Sequence, residues 1–589
     1  MTMENSLAQH DGGPQHPCGS SVWSLMQKGI DANPEWAALI SMHQHPGHLA
    51  QLVGPGAVQS PAIRGPDEIL TWSYAQMRRG AARLATIIAR HHVPPESAMV
   101  TFIPHSAEWI LLLWASALAR LAVLNRSPEE PEKEPEQLRA YFPILAPALV
   151  VVEDEAAAQV VDQVRGNASD QPFLGISLAP LSTPRHGWVS MDEIACTPFT
   201  ESEGNVDAAA VHDRPDRVAR LFFTSGTSGV PKGAPRTVKN VCAGAVALGH
   251  GRPASVPPPV VVLMGGNFAA MTGSMPFNFA SIGGTIVLSG RRFSWADMMQ
   301  AIETCSVSVI ALMRSHISLL SAHSDFSPNR VRSLRRVFVS GETITEAFLE
   351  KTRDVFPNAA IMPVFGMTEG MSVFGWPAGV PNPMPSYKGI VSSGMTMPGG
   401  RVKIVAENGD IAACGEEGEL HIGGDAVIEQ YWGDQGDPSV FYQDESGSWF
   451  KTGDIALLEN KCVFVVGRIK ERVRSLTGFF HPFAIEAHVS SHFGVEAYVV
   501  GLSTAMHQDI PFVVLRQLPT GVTEADIREH CINELNASYS LGGVLSLEQL
   551  GMEFWPLTPI GKIEKRELKR AALNYVGTQV LAAYPVQAT

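Results

Sequence analysis

Apolar and polar positions change rhythm along this chain and divide it into stretches of different character. Between about 70 and 150, short apolar runs alternate with longer amphipathic ones. Leu70-Thr71-Trp72-Ser73 reads as a short strand entering a helix over 74–91. A strand near 98–103, a helix near 107–121 and a strand at 148–152 follow. Strands alternating with helices predict parallel βαβ units, because parallel neighbours need a crossover long enough to hold a helix. The most apolar stretch, 109–124, is interrupted by Arg120 and is too short to span a bilayer, so a buried helix is expected. Residues 183–216 are mixed and loop-like. An apolar run at 218–224 then ends in a glycine-rich turn, and the strand–helix rhythm resumes through Ile361.

From about 400 to 466 the pattern shortens, with brief strands separated by Gly, Asp and Asn, which predicts a β-rich subdomain. A charged segment, GRIKERVR, begins at Gly467, and the remainder mixes strands (497–501, 510–516) with a helix over 524–535. A boundary is placed at Glu471. The predicted architecture is α/β. Residues 21–470 form a large N-terminal domain of stacked, mostly parallel sheets with helices, and residues 471–589 a small mobile C-terminal α/β domain. Residues 1–20, polar and rich in Gly, Pro and His, are expected to be a flexible tail.

Length and composition narrow the picture modestly. At 589 residues the chain can bury a large core, and 17% charged against 45% apolar residues is globular and not disordered. A formal charge of −14 argues against a nucleic-acid surface and does not exclude a locally held anion such as ATP. Seven scattered cysteines without a CxxC argue against a disulfide framework or zinc site and fit a reducing, cytoplasmic setting. No signal-peptide pattern is evident at the N-terminus.

The sharpest chemistry lies at Leu221-Phe-Phe-Thr-Ser-Gly-Thr-Ser-Gly-Val-Pro-Lys-Gly233. Thr224, Ser225, Thr227 and Ser228 offer hydroxyls. Gly226, Gly229 and Gly233 allow close backbone approach, and Lys232 adds a cation. Backbone N–H groups, hydroxyls and one lysine suit a polyphosphate. The lysine precedes Gly233 and not Ser or Thr, so this is not a Walker A loop.

The segment resembles the phosphate loop of the adenylate-forming superfamily, which includes acyl-CoA synthetases, peptide-synthetase adenylation domains and firefly luciferase. Further motifs follow in that family's order, over roughly residues 25–575. Ser340-Gly341-Glu342 resembles the turn covering the adenine. Val364-Phe365-Gly366-Met367-Thr368-Glu369-Gly370 resembles the Thr-Glu motif, with Phe365 against adenine, Thr368 on the α-phosphate and Glu369 holding Mg²⁺. Asp454, in Trp449-Phe-Lys-Thr-Gly-Asp454, takes the position of the ribose anchor, since one carboxylate can accept from both hydroxyls. Arg468 takes that of a permanent cation on ribose or phosphate, Glu471 the hinge, and Lys562, in PLTPIGKIEKREL, the catalytic lysine bridging carboxylate and α-phosphate.

The resemblance implies an acid–thiol ligase. ATP and Mg²⁺ activate a small-molecule carboxylate to an acyl-AMP, which is passed to coenzyme A. Its siblings transfer to a carrier protein, an amine or another nucleophile, or run luciferase-like oxygen chemistry. A non-enzyme is disfavoured, since a dead site would be free to lose Lys232, Glu369, Asp454, Arg468 and Lys562. No nucleic-acid partner or membrane span is expected, and the chain acts as a monomer or homodimer.

Several positions depart from the family pattern. Val238 stands where a histidine is frequent, Thr477 and Gly478 shift the segment that borders the pantetheine tunnel, and no aspartate offers to pair an α-amine. The substrate pocket is assigned to Asn267, Phe268, Arg314, Gly341 and Gly366. Arg314 has two readings: a cation in the acyl pocket favouring a second anionic group, or a residue facing solvent or paired with an acid. The acidic run 129–136 is expected to be an exposed face or linker, and His43, His45 and His48 a solvated loop, with a metal site as the alternative.

Overall fold

A computed structural model describes residues 7–16, 19–59, 69–166, 172–206, 211–224, 232–250, 260–264, 271–376, 379–433, 439–475, 478–503, 509–535, 539–558 and 563–577. Two seven-stranded sheets carry most of the chain up to Pro363. In the first the order is Trp188–Ser190, Leu174–Ser177, Leu149–Val152, Ala98–Phe102, Ala122–Asn125, Val218–Thr224 and Lys232–Thr237, parallel except for the last pair. The second runs Ala360–Pro363, Arg336–Ser340, Val309–Met313, Val261–Leu263, Thr285–Leu288, Ala37–Ser41 and Leu70–Ser73. It too is parallel except at its final pair.

One apolar core joins both sheets through the helices Tyr74–Arg90 and Ala107–Ala119. Ser73 starts the first helix by a reciprocal cap, its hydroxyl accepting from the Gln76 N–H while the Gln76 side chain accepts from the Ser73 N–H. Every residue from 107 to 117 in the second helix is buried. A helix apolar all round must be enclosed, and this one lies within the shared core, as its sequence predicts.

The β-rich region is an eight-stranded antiparallel sheet. It begins at Phe374–Gly375, earlier than predicted, and ends at Cys462–Arg468. It also takes in the N-terminus. Gln9–Asp11 pairs antiparallel with residues 401–403 of the strand Gly400–Val405, and Ala8 is fully buried. Within the span 1–20 expected to be a flexible tail, the described residues 8–11 are corrected accordingly: an outer strand of the sheet offers unpaired N–H and C=O groups, and this segment satisfies them. The acidic run is exposed at Glu132, Glu134 and Glu136, as expected, but not at Glu130. Glu130 is buried, bonded to Arg126 at 2.7 Å and to the Tyr141 hydroxyl at 2.9 Å. The histidine segment is a turn region with His45 exposed, as expected, but His48 in it meets the buried Glu108 at 2.5 Å.

After Arg468 a single turn, Ile469–Glu471, leads into a unit with its own core. Two apolar clusters there draw only on residues beyond 472. Ala497–Ser503 and Asp509–Leu515 pair antiparallel, Gly543–Ser546 adds in parallel, and the helices Pro482–Phe493, Glu524–Leu535 and Lys565–Val576 accompany them. Among the described residues no helix is long and apolar enough to cross a membrane.

Candidate active site

The strand Val218–Thr224 runs toward the glycine-rich segment that the sequence likens to a phosphate loop, and Lys232–Thr237 returns antiparallel beside it, with Lys232 opposite Thr224. Pro235 is tolerated because this returning strand is the sheet's edge, where a missing N–H breaks no ladder. Gly233 has a packing reason. A Cβ there would stand 3.0 Å from Trp432 and 3.4 Å from Phe223, and its carbonyl accepts from the Trp432 N–H at 2.7 Å. Ser225, Gly226, Thr227, Ser228, Gly229, Asn267, Phe268, Thr477 and Lys562 lie outside the described residues, and of Thr224 only the backbone is described.

The Thr-Glu segment meets this hairpin directly. Met367 and Gly370 exchange both backbone hydrogen bonds at 3.2 Å, forming a tight turn that presents Thr368 and Glu369. Glu369 is buried, and its Oε1 accepts from the Tyr431 hydroxyl at 2.8 Å. The Lys232 ammonium lies 5.0 Å from the centroid of the same Tyr431 ring. Arg236, buried on the returning strand, donates to the Thr368 carbonyl at 3.2 Å. Phe365 packs on Phe374 at 5.6 Å, and a Cβ on the exposed Gly366 would meet nothing within 4 Å. Tyr431 was missed by the sequence reading, since an isolated tyrosine carries no motif.

Asp454 and Arg468 are cross-strand partners in the antiparallel sheet. Asp454 is buried and its Oδ1 accepts from the Arg468 Nε at 3.1 Å, while Arg468 is 53% exposed and reaches solvent. The Asp454 N–H donates to the Thr452 hydroxyl at 3.0 Å, which fixes the backbone at this position.

Ser340 ends the strand Arg336–Ser340, and Gly341 turns with φ +100°, a conformation that glycine adopts without strain. Glu342 follows at the junction with the C-terminal unit. It lies 3.8 Å from Arg314 and accepts from the Tyr498 hydroxyl at 3.3 Å. Burial pushes the Glu342 carboxyl up, with Glu496 and Glu486 adding to the rise and Arg314 and Lys565 opposing it. Arg314 is buried, near the rings of Phe348 (5.1 Å) and Tyr498 (5.9 Å). Of its two readings, pairing with an acid is the observed one. Glu342 and the Tyr498 ring face balance its charge inside the protein.

Glu471 approaches Lys565 at 3.7 Å, and Lys565 also reaches Glu486 at 2.9 Å. Burial by itself lowers the Lys565 ammonium's pKa, but Glu486 and Glu471 outweigh it and raise the pKa above the usual lysine range. A backbone bridge between Leu557 and Ile563, with Glu564 N–H donating to the Pro556 carbonyl at 2.8 Å, closes the segment that contains position 562. The turn at 469–471 is therefore tied to the start of the helix Lys565–Val576.

Among the described residues no three His, Cys, Asp or Glu side chains converge as a metal cage. Glu369 is a single hard-oxygen donor, which fits a cation brought in and largely coordinated by phosphate oxygens.

The motif described as AMP-binding enzyme matches residues 52–432, and an acyl-CoA ligase of Pestalotiopsis microspora is 30% identical over 580 residues, covering 97% of this chain and 99% of that protein. The chain belongs to the AMP-binding enzyme family. It is an adenylate-forming enzyme, an AMP-forming ligase of the acyl-CoA synthetase kind. Solved structures share this AMP-binding enzyme's fold at 18% identity. ATP-bound MatB from Rhodopseudomonas palustris superposes with TM-score 0.73 over 93% of this chain and 98% of its own. The anthranilate CoA ligase AuaEII in complex with anthranoyl-AMP gives 0.74 over 95% and 98%.

Proposed function

We propose that this enzyme uses ATP to convert a carboxylic acid to an acyl-AMP, releasing pyrophosphate, and then passes the acyl group to the thiol of coenzyme A. The observation that carries the reading is the convergence of Lys232 and Glu369 on Tyr431, beside the strand that runs into the phosphate loop. A cation and a carboxylate fixed on either side of one aromatic residue suit a triphosphate and its Mg²⁺.

In this reading residues 224–229 and Lys232 hold the β- and γ-phosphates, Thr368 bonds the α-phosphate, and Glu369 holds Mg²⁺ together with phosphate oxygens. The adenine lies between Phe365 and the turn at Ser340, Gly341 and Glu342, and the ribose hydroxyls donate to Asp454 beside Arg468. The acid enters past Gly366, where the backbone leaves room. Its carboxylate oxygen attacks the α-phosphorus and pyrophosphate leaves. Lys562 neutralises the charge gathering on both groups, where preorganised electrostatics help most. The thiol then attacks the acyl carbon and AMP departs, a far better leaving group than oxide.

The segment around Glu471 is the hinge on which the C-terminal unit changes position between the two steps. The name of the Pestalotiopsis relative supports coenzyme A as acceptor. The six described cysteines are free thiols, which suits a cytoplasmic enzyme.

Pyrophosphate release from ATP and Mg²⁺ across a panel of acids, with and without coenzyme A, tests the reading beside Lys562→Ala. Release that needs one acid class and fails in the variant is expected, with a thioester detected by mass when coenzyme A is present. Release without thioester would move the acceptor to an amine or carrier protein. No release with any acid would overturn adenylation.

A further inference from the structure

The hairpin that carries the phosphate loop also carries two buried cations that the proposed chemistry does not use. Arg220 and Arg236 stand directly opposite each other across the strand pair, as do Phe222 and Ala234. Residues two apart on a strand share a face, so Lys232, Ala234 and Arg236 line one side of the hairpin, with Arg220 and Phe222 beside them. Both arginines are 1% exposed. Like charges facing each other across a ladder repel, and a buried charge ordinarily has an acid beside it.

Neither has one here. Among the described residues no acid lies within ion-pair distance of either guanidinium. The Glu369 carboxylate that acts on Arg236 already accepts from Tyr431. Arg236 donates one bond, to the Thr368 carbonyl. Arg220 donates one, from Nη1 to the Gly273 carbonyl at 3.2 Å, while its Nε and Nη2 are buried without a partner. The rings of Phe222 and Phe277, at 5.1 and 5.6 Å, shelter its charge but offer no acceptor. Burial pushes the Arg220 guanidinium down to about 9, with Arg236 adding to the fall. Arg236 is pushed to about 10 by burial, against the pull of Glu369.

Location gives the pair its meaning. Arg236 touches Thr368, the residue assigned to the α-phosphate, and Arg220 lies four residues before Thr224, about 13 Å along an extended strand.

We propose that Arg220 and Arg236 form the far wall of the acyl site and receive a second carboxylate, so that the acid activated is a dicarboxylic acid and not a plain alkyl or aryl acid. This rests on the ligase reading of the same site. One carboxylate reacts at the α-phosphate. The other accepts from Arg220 Nε and Nη2 and lies between the two guanidinium groups, replacing their repulsion with two charge-assisted attractions. The second anionic group sought in the sequence at Arg314 is thereby assigned to a different pair of residues.

The test compares matched acids: succinate, adipate and suberate against butyrate, hexanoate and octanoate, by kcat/KM for pyrophosphate release. The intact enzyme is expected to favour at least one diacid over its matched monoacid by tenfold or more. In Arg220→Met that ratio should fall at least tenfold, chiefly through KM, and Arg220→Lys should restore part of it. A cooperative melt shows which variants fold; if Arg220→Met does not, Arg220→Lys and Arg236→Lys carry the comparison.

Equal or better turnover of the monoacids by the intact enzyme overturns the proposal. So does a diacid preference that survives unchanged in the folded variants. If no acid at all releases pyrophosphate, the ligase reading falls, and calorimetric titration with the same diacids decides the anion site separately. Saturable diacid binding lost in Arg220→Met supports it, and no binding overturns it.

Discussion

Tyr431→Phe tests the hydroxyl that holds Glu369 in the candidate site. The variant keeps the ring, its edge contact with Phe441 at 5.2 Å and its place 5.0 Å from the Lys232 ammonium, and removes only the hydroxyl that donates to Glu369 at 2.8 Å. Both residues are 8% exposed, so bulk water is poorly placed to replace the lost donor. A hydrogen bond to a charged group contributes about 1.5–3 kcal/mol. At about 1.4 kcal/mol per tenfold, its full loss from the transition state lowers kcat/KM by about 10- to 150-fold.

The assay is the initial rate of pyrophosphate release against MgATP at a fixed acid concentration, with the melting temperature measured alongside. A fall of at least tenfold with a nearly unchanged melting temperature is expected. Tyr431→Ala should in addition lose about 3–5 kcal/mol of stability, because it empties the ring's place against Phe441. A Phe variant with the parent kcat/KM and the parent Mg²⁺ dependence would refute the idea that Tyr431 orients Glu369 for catalysis.

The remaining predictions concern the sugar anchor, the junction and a buried ion pair. Asp454→Ala leaves Arg468 without its cross-strand acid and should raise KM for ATP about tenfold or more, as expected for a lost charge-assisted bond; an unchanged KM would remove Asp454 from the ribose site. Arg314→Met strips the cation from Glu342 and Tyr498, costs about 3 kcal/mol at the junction, and should speed limited proteolysis near residues 469–475; unaltered digestion would show that these contacts do not hold the C-terminal unit. His48→Gln removes one of the two partners of buried Glu108, the other being Gln44 at 2.9 Å, and should cost about 1.5–3 kcal/mol near pH 6. The hydrogen bond to Glu108 raises the His48 pKa in the fold, so its contribution is full below the unfolded value of about 6.5 and disappears as pH rises through the folded value. The difference in melting temperature between parent and variant should therefore shrink above neutral pH, and a difference constant from pH 6 to 9 would contradict the pairing.

The sequence by itself determined what depends on local pattern. The helix Ala107–Ala119 was readable because its apolar positions go all the way round, and a helix of that kind has only one place to be. The strand Val218–Thr224 and the cross-strand placing of Asp454 and Arg468 were likewise set by short runs whose spacing survives in one dimension. The meaning of isolated polar residues was not readable, because it depends on what faces them. Gln9–Asp11 looks like a polar tail until the partner strand Gly400–Val405 is in place. Glu130 looks solvated until Arg126 and Tyr141 close over it.

Tertiary structure alone decided that Tyr431 grips Glu369, that Arg314 answers Glu342 and Tyr498, and that Arg220 and Arg236 share one buried face. The physical reason is common to all of them. A charge in water costs little wherever it falls along the chain, whereas a charge removed from water must be matched by particular atoms, and only the packing of distant segments brings those atoms within reach.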